Sequence, residues 1–424
     1  MTNLTVRLPL LVLALAWGLT GCATSSGLYQ ARAEFASGDP ALALNTLDNS
    51  TVSKRNQLLY LLDKGAIAFS AGEYARTKDA LLEANDLIEA WDQIRLGEQS
   101  ATLITGEWAK RYRGEYSEKL WVHSYLMMAF LLQNQPESAA VEARRALKRI
   151  AAHEDSLHND WFTRALIALS FEAAGNLDSA QVEYRKLVND EYYDGVWNNV
   201  IQRQTHRHGQ DPIPGVLDSA NQPPPTGTKL SDDEGELIVF LQSGHIARKL
   251  PGDITLGIDL RIAFPFYYDY PYNPPQYSVF ANGNEVAADY IDTRLDTVAK
   301  NALSARGKTI AAKQAARLVT KKAVSNAVYR EDNALGAVVQ LLLFATEQAD
   351  TRSWETLPEW LGMIRVALPE GDNDVSVSIL HEGVEHIVNL DDLSIRAGKL
   401  QFATFRTNQP LPYNDGYWPS NSIN

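Results

Sequence analysis

One short phrase recurs four times in the first half of the chain, and it limits the architecture more than any other feature. It reads Gly38-Asp39-Pro40-Ala41-Leu42-Ala43, then Gly72-Glu73-Tyr74-Ala75-Arg76-Thr77. The later copies are Asn134-Gln135-Pro136-Glu137-Ser138-Ala139 and Gly175-Asn176-Leu177-Asp178-Ser179-Ala180. Each opens on a turn former and has a small residue five positions later, with amphipathic runs on both sides. Gly or Asn permits the left-handed cap that ends a helix. The small residue lets the next helix lie close against the first. The phrase therefore predicts helical hairpins.

The flanks fit this pattern. Gly65 falls at a close-packing position of the second hairpin, with Leu81 and Ala84 facing inward from its second helix. Leu126, Phe130, Ala143 and Ala146 take the matching places in the third hairpin. Ile167, Ala168, Phe171, Tyr184 and Leu187 take them in the fourth. The pattern resembles the tetratricopeptide repeat, whose two helices meet at such a turn. An ordinary helical bundle with coincidental turns is the other reading. Both give an all-helical domain over residues 27–203. The turns are unevenly spaced, and the widest interval holds residues 91–118, room for another helix and a loop. The repeat resemblance implies a curved surface that binds a peptide or partner segment.

The chain's start has its own pattern. Arg7 precedes an apolar run from Leu8 to Leu19, and the run ends Leu19-Thr20-Gly21-Cys22. The run is well short of the ~20 apolar residues that span a bilayer, so it reads as a secretory signal over residues 1–21. The ending resembles a bacterial lipobox. That resemblance implies cleavage before Cys22, acylation there (palmitate among the acyl groups) and a short lipidated tether over residues 22–26. A plain signal peptide with a chance cysteine is the alternative. Ala23, rather than Asp, implies the outer membrane by the same resemblance. Cys22 is the single cysteine, so no intramolecular disulfide forms. The formal net charge of −13 argues against nucleic acid as a partner of the whole chain.

Residues 204–235 are rich in proline and glycine and read as a linker. Strand patterns then run over Glu236 to Leu241, Leu256 to Phe264, Leu361 to Leu368, Val375 to Leu380, Val384 to Leu390 and Leu400 to Arg406. A hairpin turn is expected at Glu382-Gly383. Residues 290–330 and 334–348 read as two packed helices. The stretch "PFYYDYPYNPPQYSVF" carries too much proline for a central strand. It is either an exposed binding loop or a loop packed on the domain's own core. The expected fold is α+β overall: a helical repeat domain, an α+β domain over 236–407 with antiparallel strands, and an irregular tail over 408–424.

Two near-motifs test for chemistry. "NALSARGKT" is one glycine short of a phosphate loop, with Ala302 at the first glycine's place. Leu295, Val298, Ala302 and Ala305 precede Gly307 at helical spacing, so its N–H groups belong to a helix and cannot cradle phosphate. The same helix is basic. Arg306, Lys313, Arg317 and Lys321 form one stripe, either a solvated face or an anion-binding surface for lipid, lipopolysaccharide or glycan. "HEGVEH" departs from the zinc motif, because His381 and His386 are five apart in strand-like surroundings. His206 and His208 lie in the linker. No catalytic constellation, cofactor site or metal site emerges, and the expectation is a protein that is not an enzyme.

Three phrases carry a wider resemblance: "YRGEYSEKLWVHSYLMMAFLL" (112–132), "FLQSGHIARK" (240–249) and "ADTRSWETLP" (349–358). They resemble a little-characterised family of proteobacterial outer-membrane lipoproteins with a tetratricopeptide-like half. In that family the first phrase continues Gly-x-Pro-Tyr-Glu; here it is Gly114-Glu115-Tyr116-Ser117-Glu118, without the proline. The resemblance implies a periplasm-facing scaffold in envelope assembly, with peptidoglycan synthesis as one setting, that meets envelope proteins through its repeats. In "ADTRSWETLP", Arg352 is expected to bridge a carboxylate or backbone carbonyls, with Trp354 packed beneath it.

Overall fold

The computed structural model describes residues 26–93, 111–188, 197, 198, 200, 201, 232–256, 260–268, 274–307, 349–381 and 383–407. The signal segment, Cys22, Lys308, Thr309, Lys313, Arg317, Lys321, His206, His208, the 334–348 helix and the tail lie outside the described residues. So does nearly all of the linker.

The helical half contains α1 (Ser26–Ala36), α2 (Pro40–Asp48), α3 (Gln57–Ser70), α4 (Tyr74–Gln93), α5 (Tyr116–Leu132), α6 (Pro136–Ala152), the short α7 (Glu154–Leu157), α8 (Trp161–Ala173) and α9 (Leu177–Val188). Helices α1/α2, α3/α4, α5/α6 and α8/α9 pack as hairpins, and α4/α5 and α6/α8 join neighbouring hairpins. The four turn residues all take positive φ: Gly38 93°, Gly72 77°, Asn134 55° and Gly175 73°. Each turn closes with the same pair of backbone bonds. In the first, Gly38 N–H donates to the Phe35 carbonyl and Asp39 N–H to that of Glu34. The others repeat this, through to Gly175 with Glu172 and Asn176 with Phe171. This is the Schellman arrangement. The small residues Ala43, Thr77, Ala139 and Ala180 are all buried. Thr77 Oγ1 also reaches back to the Gly65 carbonyl at 3.2 Å.

The strands are β1 (Glu234–Ser243), β2 (Lys249–Leu256), β3 (Leu260–Tyr267), β4 (Gln276–Ala281), β5 (Asn284–Val286), β6 (Ala288–Arg294), β7 (Trp360–Pro369), β8 (Gly371–His381), β9 (Val384–Ile395) and β10 (Leu400–Thr407). One sheet has the order β10-β1-β7-β6, a second the order β5-β4-β8-β9, and β2-β3 is a separate hairpin. Two expectations are corrected. Residues 290–294 complete β6 instead of opening a helix; the helix starts at Leu295 and continues through 307. The strands are not all antiparallel, because β10 pairs parallel to β1. The chain reaches that place from β9 in the other sheet, through a turn in which Gly398 N–H donates to the Glu234 carbonyl.

Strand β1 explains the layering. Ile238 and Phe240 join a core shared with the helices, while Leu237, Val239 and Leu241 join a second core against the other sheet. On β7, Leu361 and Met363 go to the first core, and Ile364, Val366 and Leu368 to the second. Period-2 alternation thus buries both faces of the central strands. The result is three layers: helical hairpins, the β10-β1-β7-β6 sheet, then the β5-β4-β8-β9 sheet. The core of the helical half runs without a break onto the first sheet.

Candidate functional site

The first helix of each hairpin is the part that repeat architecture leaves open to a partner. Here each one is locked to the chain's own C-terminal half. On α1, Arg32 pairs with Asp63 of α3 at 2.7 Å and with Glu355 at 2.8 Å, and donates to the Ser353 carbonyl. On α3, Asp63 also accepts from the Thr356 hydroxyl at 2.9 Å, and Thr356 in turn accepts from Trp354 Nε1. On α5, Tyr125 donates to Gln242 of β1 at 2.7 Å. On α8, Glu172 receives the Arg365 guanidinium of β7 at 2.8 and 2.9 Å, while Arg365 also pairs with Glu236 of β1. Tyr184 donates to the same Glu172. Arg365 and Glu236 are fully buried.

The three phrases that carry the family resemblance meet at one end of this junction. Glu118 sits in the first turn of α5 and accepts from the Glu115 N–H and from the Trp354 N–H, both at 2.7 Å, and from the Tyr112 hydroxyl. Glu115, at the α5 N-cap, holds Lys249 at 2.7 Å and pairs with Arg306. Burial works against ionisation of Glu115, but Lys249 and Arg306 outweigh it and hold the carboxyl down at about 2. Burial pushes the neighbouring Glu118 carboxyl up, and the charge on Glu115 adds to that rise. Tyr116 takes the first helical position, where proline is also favoured, and stacks on His153 with ring centroids 3.6 Å apart.

Arg352 bridges as expected. It grips Asp350 at 2.7 and 2.8 Å, reaches Asn56 Oδ1 at 3.0 Å and lies over the Tyr112 ring. Trp354 is fully buried against Tyr125. A cavity of about 50 Å³ opens between α1, α3 and the 351–355 segment, lined by Tyr29, Arg32, Asn56, Arg352 and Glu355 among others. That volume is far below the ~300 Å³ at which small-molecule sites begin.

No family model, curated protein or solved structure matches the chain. The site is therefore read from its own geometry.

Of the proposed basic stripe, Arg306 is described, and it is engaged by Glu115. Gly307 is helical, as the spacing of its neighbours predicts, and Ala302 lies fully buried in the shared core. His381 and His386 do not stand opposite each other: His381 pairs with Val384 and His386 with Ile379. Among the described residues, no group of three His, Cys, Asp or Glu side chains could hold a metal. From the aromatic stretch, Tyr267 packs against the shared core, while Phe266 and Tyr268 remain partly exposed.

Sequence patterning alone does not pair the polar locks, yet a signal exists. Glu236 interrupts "EGELIVFLQS", Arg365 interrupts "WLGMIRVALP" and Glu172 interrupts "ALIALSFEA". A single charge inside an apolar run calls for a buried counter-charge.

Proposed function

We propose that the chain is an outer-membrane lipoprotein facing the periplasm, acting as a rigid, non-enzymatic scaffold that recruits envelope proteins. Within this reading the four hairpins are tetratricopeptide-like, Cys22 carries the acyl anchor, and the chain belongs with the lipoproteins its three phrases resemble. Peptidoglycan synthesis is one process such a scaffold serves.

The observation that carries the reading is the locking of the first helices onto the chain's own C-terminal half. A buried face cannot also take a peptide, so the outward surface for a partner is that of the second helices. Val141 of α6 and Val182 of α9 are 45% and 49% exposed there. Among the described residues no helix is long and apolar enough to cross a membrane, so in this reading the acyl chains supply the attachment.

A photoactivatable residue at Val141 or Val182 in intact cells tests the proposal. The expected result is a discrete crosslink to an envelope protein, absent when the same residue replaces a buried control such as Ala143. Full-length, palmitate-labelled protein that gives no crosslink from any second-helix position would sink the scaffold reading.

A further inference from the structure

We propose that the outward faces of α4 and α6 form one self-complementary surface that pairs the chain with a second copy of itself. Such pairing is a property of the folded chain and needs neither the acyl anchor nor the recruiting role proposed above.

Helices α4 and α6 lie side by side and parallel over the buried α5. Lys78 of α4 reaches Gln135, just before α6, at 3.0 Å, and Arg149 of α6 reaches Asp92, near the end of α4, at 3.2 Å. Leu81, Ala84 and Ile88 of α4 are buried, as are Ala139, Ala143 and Ala146 of α6. The residues at helical spacing on the opposite faces point outward. On α4 they are Asp79, Glu83, Asp86 and Glu89, all exposed. On α6 they are Val141, Arg144, Arg145 and Lys148. Arg144 lies over the Phe171 ring, and Arg145 pairs with the buried Glu142 while its side chain stays 40% exposed. Asp79, Glu83, Asp86 and Lys148 have no ion pair or hydrogen bond among the described residues.

The other charges do not blur this contrast. Arg76 is matched by Asp48 and Glu73, and Asp92 by Lys119 and Arg149. Glu137 stands at the start of the α6 face, and Glu154 and Asp155 of α7 lie past its end. Counted whole, α4 holds five carboxylates and two cations, and α6 holds four cations and two carboxylates. The flanking α9 is balanced, with Asp178 and Glu183 against Arg185 and Lys186.

An acidic stripe beside a basic one dictates how two copies meet. A two-fold axis running along the helices, between α4 and α6, lays α4 of each copy on α6 of the other. Both halves of the interface then join acid to base, with Val141 as an apolar contact among the cations. An axis across the helices would lay α4 on α4, acid against acid, which like-charge repulsion disfavours. The face is about 25 Å long at 1.5 Å per residue, and roughly 20 Å wide for two helices about 10 Å apart. It offers roughly 500 Å² per copy, below the ~800 Å² of a standard interface. The pair is accordingly a weak dimer that dissociates on dilution and with salt.

Sedimentation equilibrium reads the pairing directly, on the chain from Ala23 onward, which lacks the signal and the acylated cysteine but keeps every described residue. Dimers are expected at high protein concentration and low salt, and monomers at about 1 M salt, where charges are screened beyond about 3 Å. Asp79→Lys, Glu83→Lys, Asp86→Lys reverses the α4 stripe; Arg144→Glu, Lys148→Glu reverses the α6 stripe. Each exposed pair contributes a factor of roughly 1.5–5, and every lost pair occurs twice by symmetry. Either variant alone should therefore dimerise roughly tenfold more weakly or worse, with a melting curve close to the parent's. An equal mixture of the two variants should pair again, because one half of the interface joins the two reversed stripes and the other the two native ones. The proposal is overturned by a parent that is monomeric at every concentration, by a dimer that ignores salt or either reversal, or by a mixture that stays monomeric. Crosslinking from Val182, on α9 outside both stripes, reports separately on the recruitment of other envelope proteins.

Discussion

Arg365 neutralises two buried carboxylates at once, and removing it strands both. Arg365→Met leaves Glu172 and Glu236 without a counter-charge in the interior. The expected loss is about 3–5 kcal/mol in denaturant unfolding, the scale for breaking a buried pair by removing one partner. Arg365→Lys should recover little, because an ammonium cannot grip two carboxylates side by side. Replacing all three members with apolar residues of similar volume should restore most of the loss. The junction at α5 makes a prediction about pH. Glu115 is held at about 2 in the fold against an ordinary 4.5, so its contribution is present above pH 4.5 and is lost as pH falls towards 2. The contribution is roughly 3 kcal/mol, and Glu115→Gln should flatten the acid limb of a stability-versus-pH curve. Glu118 has the opposite sign. Its raised carboxyl binds a proton more readily in the fold, so its contribution is fullest at low pH and is lost as pH rises. Glu118→Gln should make the acid limb steeper.

At the scale of elements, two glycines separate backbone cost from steric cost. Gly72 has φ 77° and open space where a Cβ would stand, with nothing within 4 Å, so Gly72→Ala meets no neighbour. Its expected cost is about 1 kcal/mol, from the left-handed conformation alone. Gly65 has no such φ, but a Cβ there would stand 2.4 Å from Leu81 Cδ2. Gly65→Ala should cost about 1–3 kcal/mol by overpacking, and the variant Gly65→Ala with Leu81→Ala should cost less than the two singles together in thermal melts. The same contrast explains what the sequence makes legible. The turns are readable because a cap is set by adjacent residues, and Gly38, Gly72, Asn134 and Gly175 all behave as their phrases predict. The β8–β9 hairpin at Gly383 is readable for the same reason. The layering is not local. Nothing near Ile238 says that it packs on helices while Leu237 packs on a second sheet. The parallel pairing of β10 with β1 joins strands more than 150 residues apart, and no turn residue announces it. At the candidate site, "YRGEYSE", "HIARK" and "TRSWETL" are distinctive as text, but their meeting depends on long-range pairs such as Glu115 with Lys249 and Glu118 with the Trp354 N–H.

For the whole molecule, the unbroken core between helices and sheet decides how the chain unfolds. The first helices are covered on both sides: α5 buries Leu120 through Leu131, and α8 buries Phe162 through Glu172 except Arg164. The second helices cover one side and the β10-β1-β7-β6 sheet the other. Residues 26–203 expressed alone would therefore expose the apolar face that Ile238, Phe240, Leu361, Met363 and Trp354 now cover. They would also strand Arg32, Asp63, Glu118 and Glu172 without their partners across the junction. An exposed apolar patch with unpaired charges favours aggregation. The fragment is expected to aggregate or to bind a hydrophobic dye strongly, and co-expression with residues 232–424 is expected to return it to solution as a complex. The intact chain should then melt in one calorimetric transition, since the halves share a single core. A soluble, monomeric, fully helical fragment with its own sharp melting transition would contradict this, and would mean that the sheet rests on an independently stable helical domain.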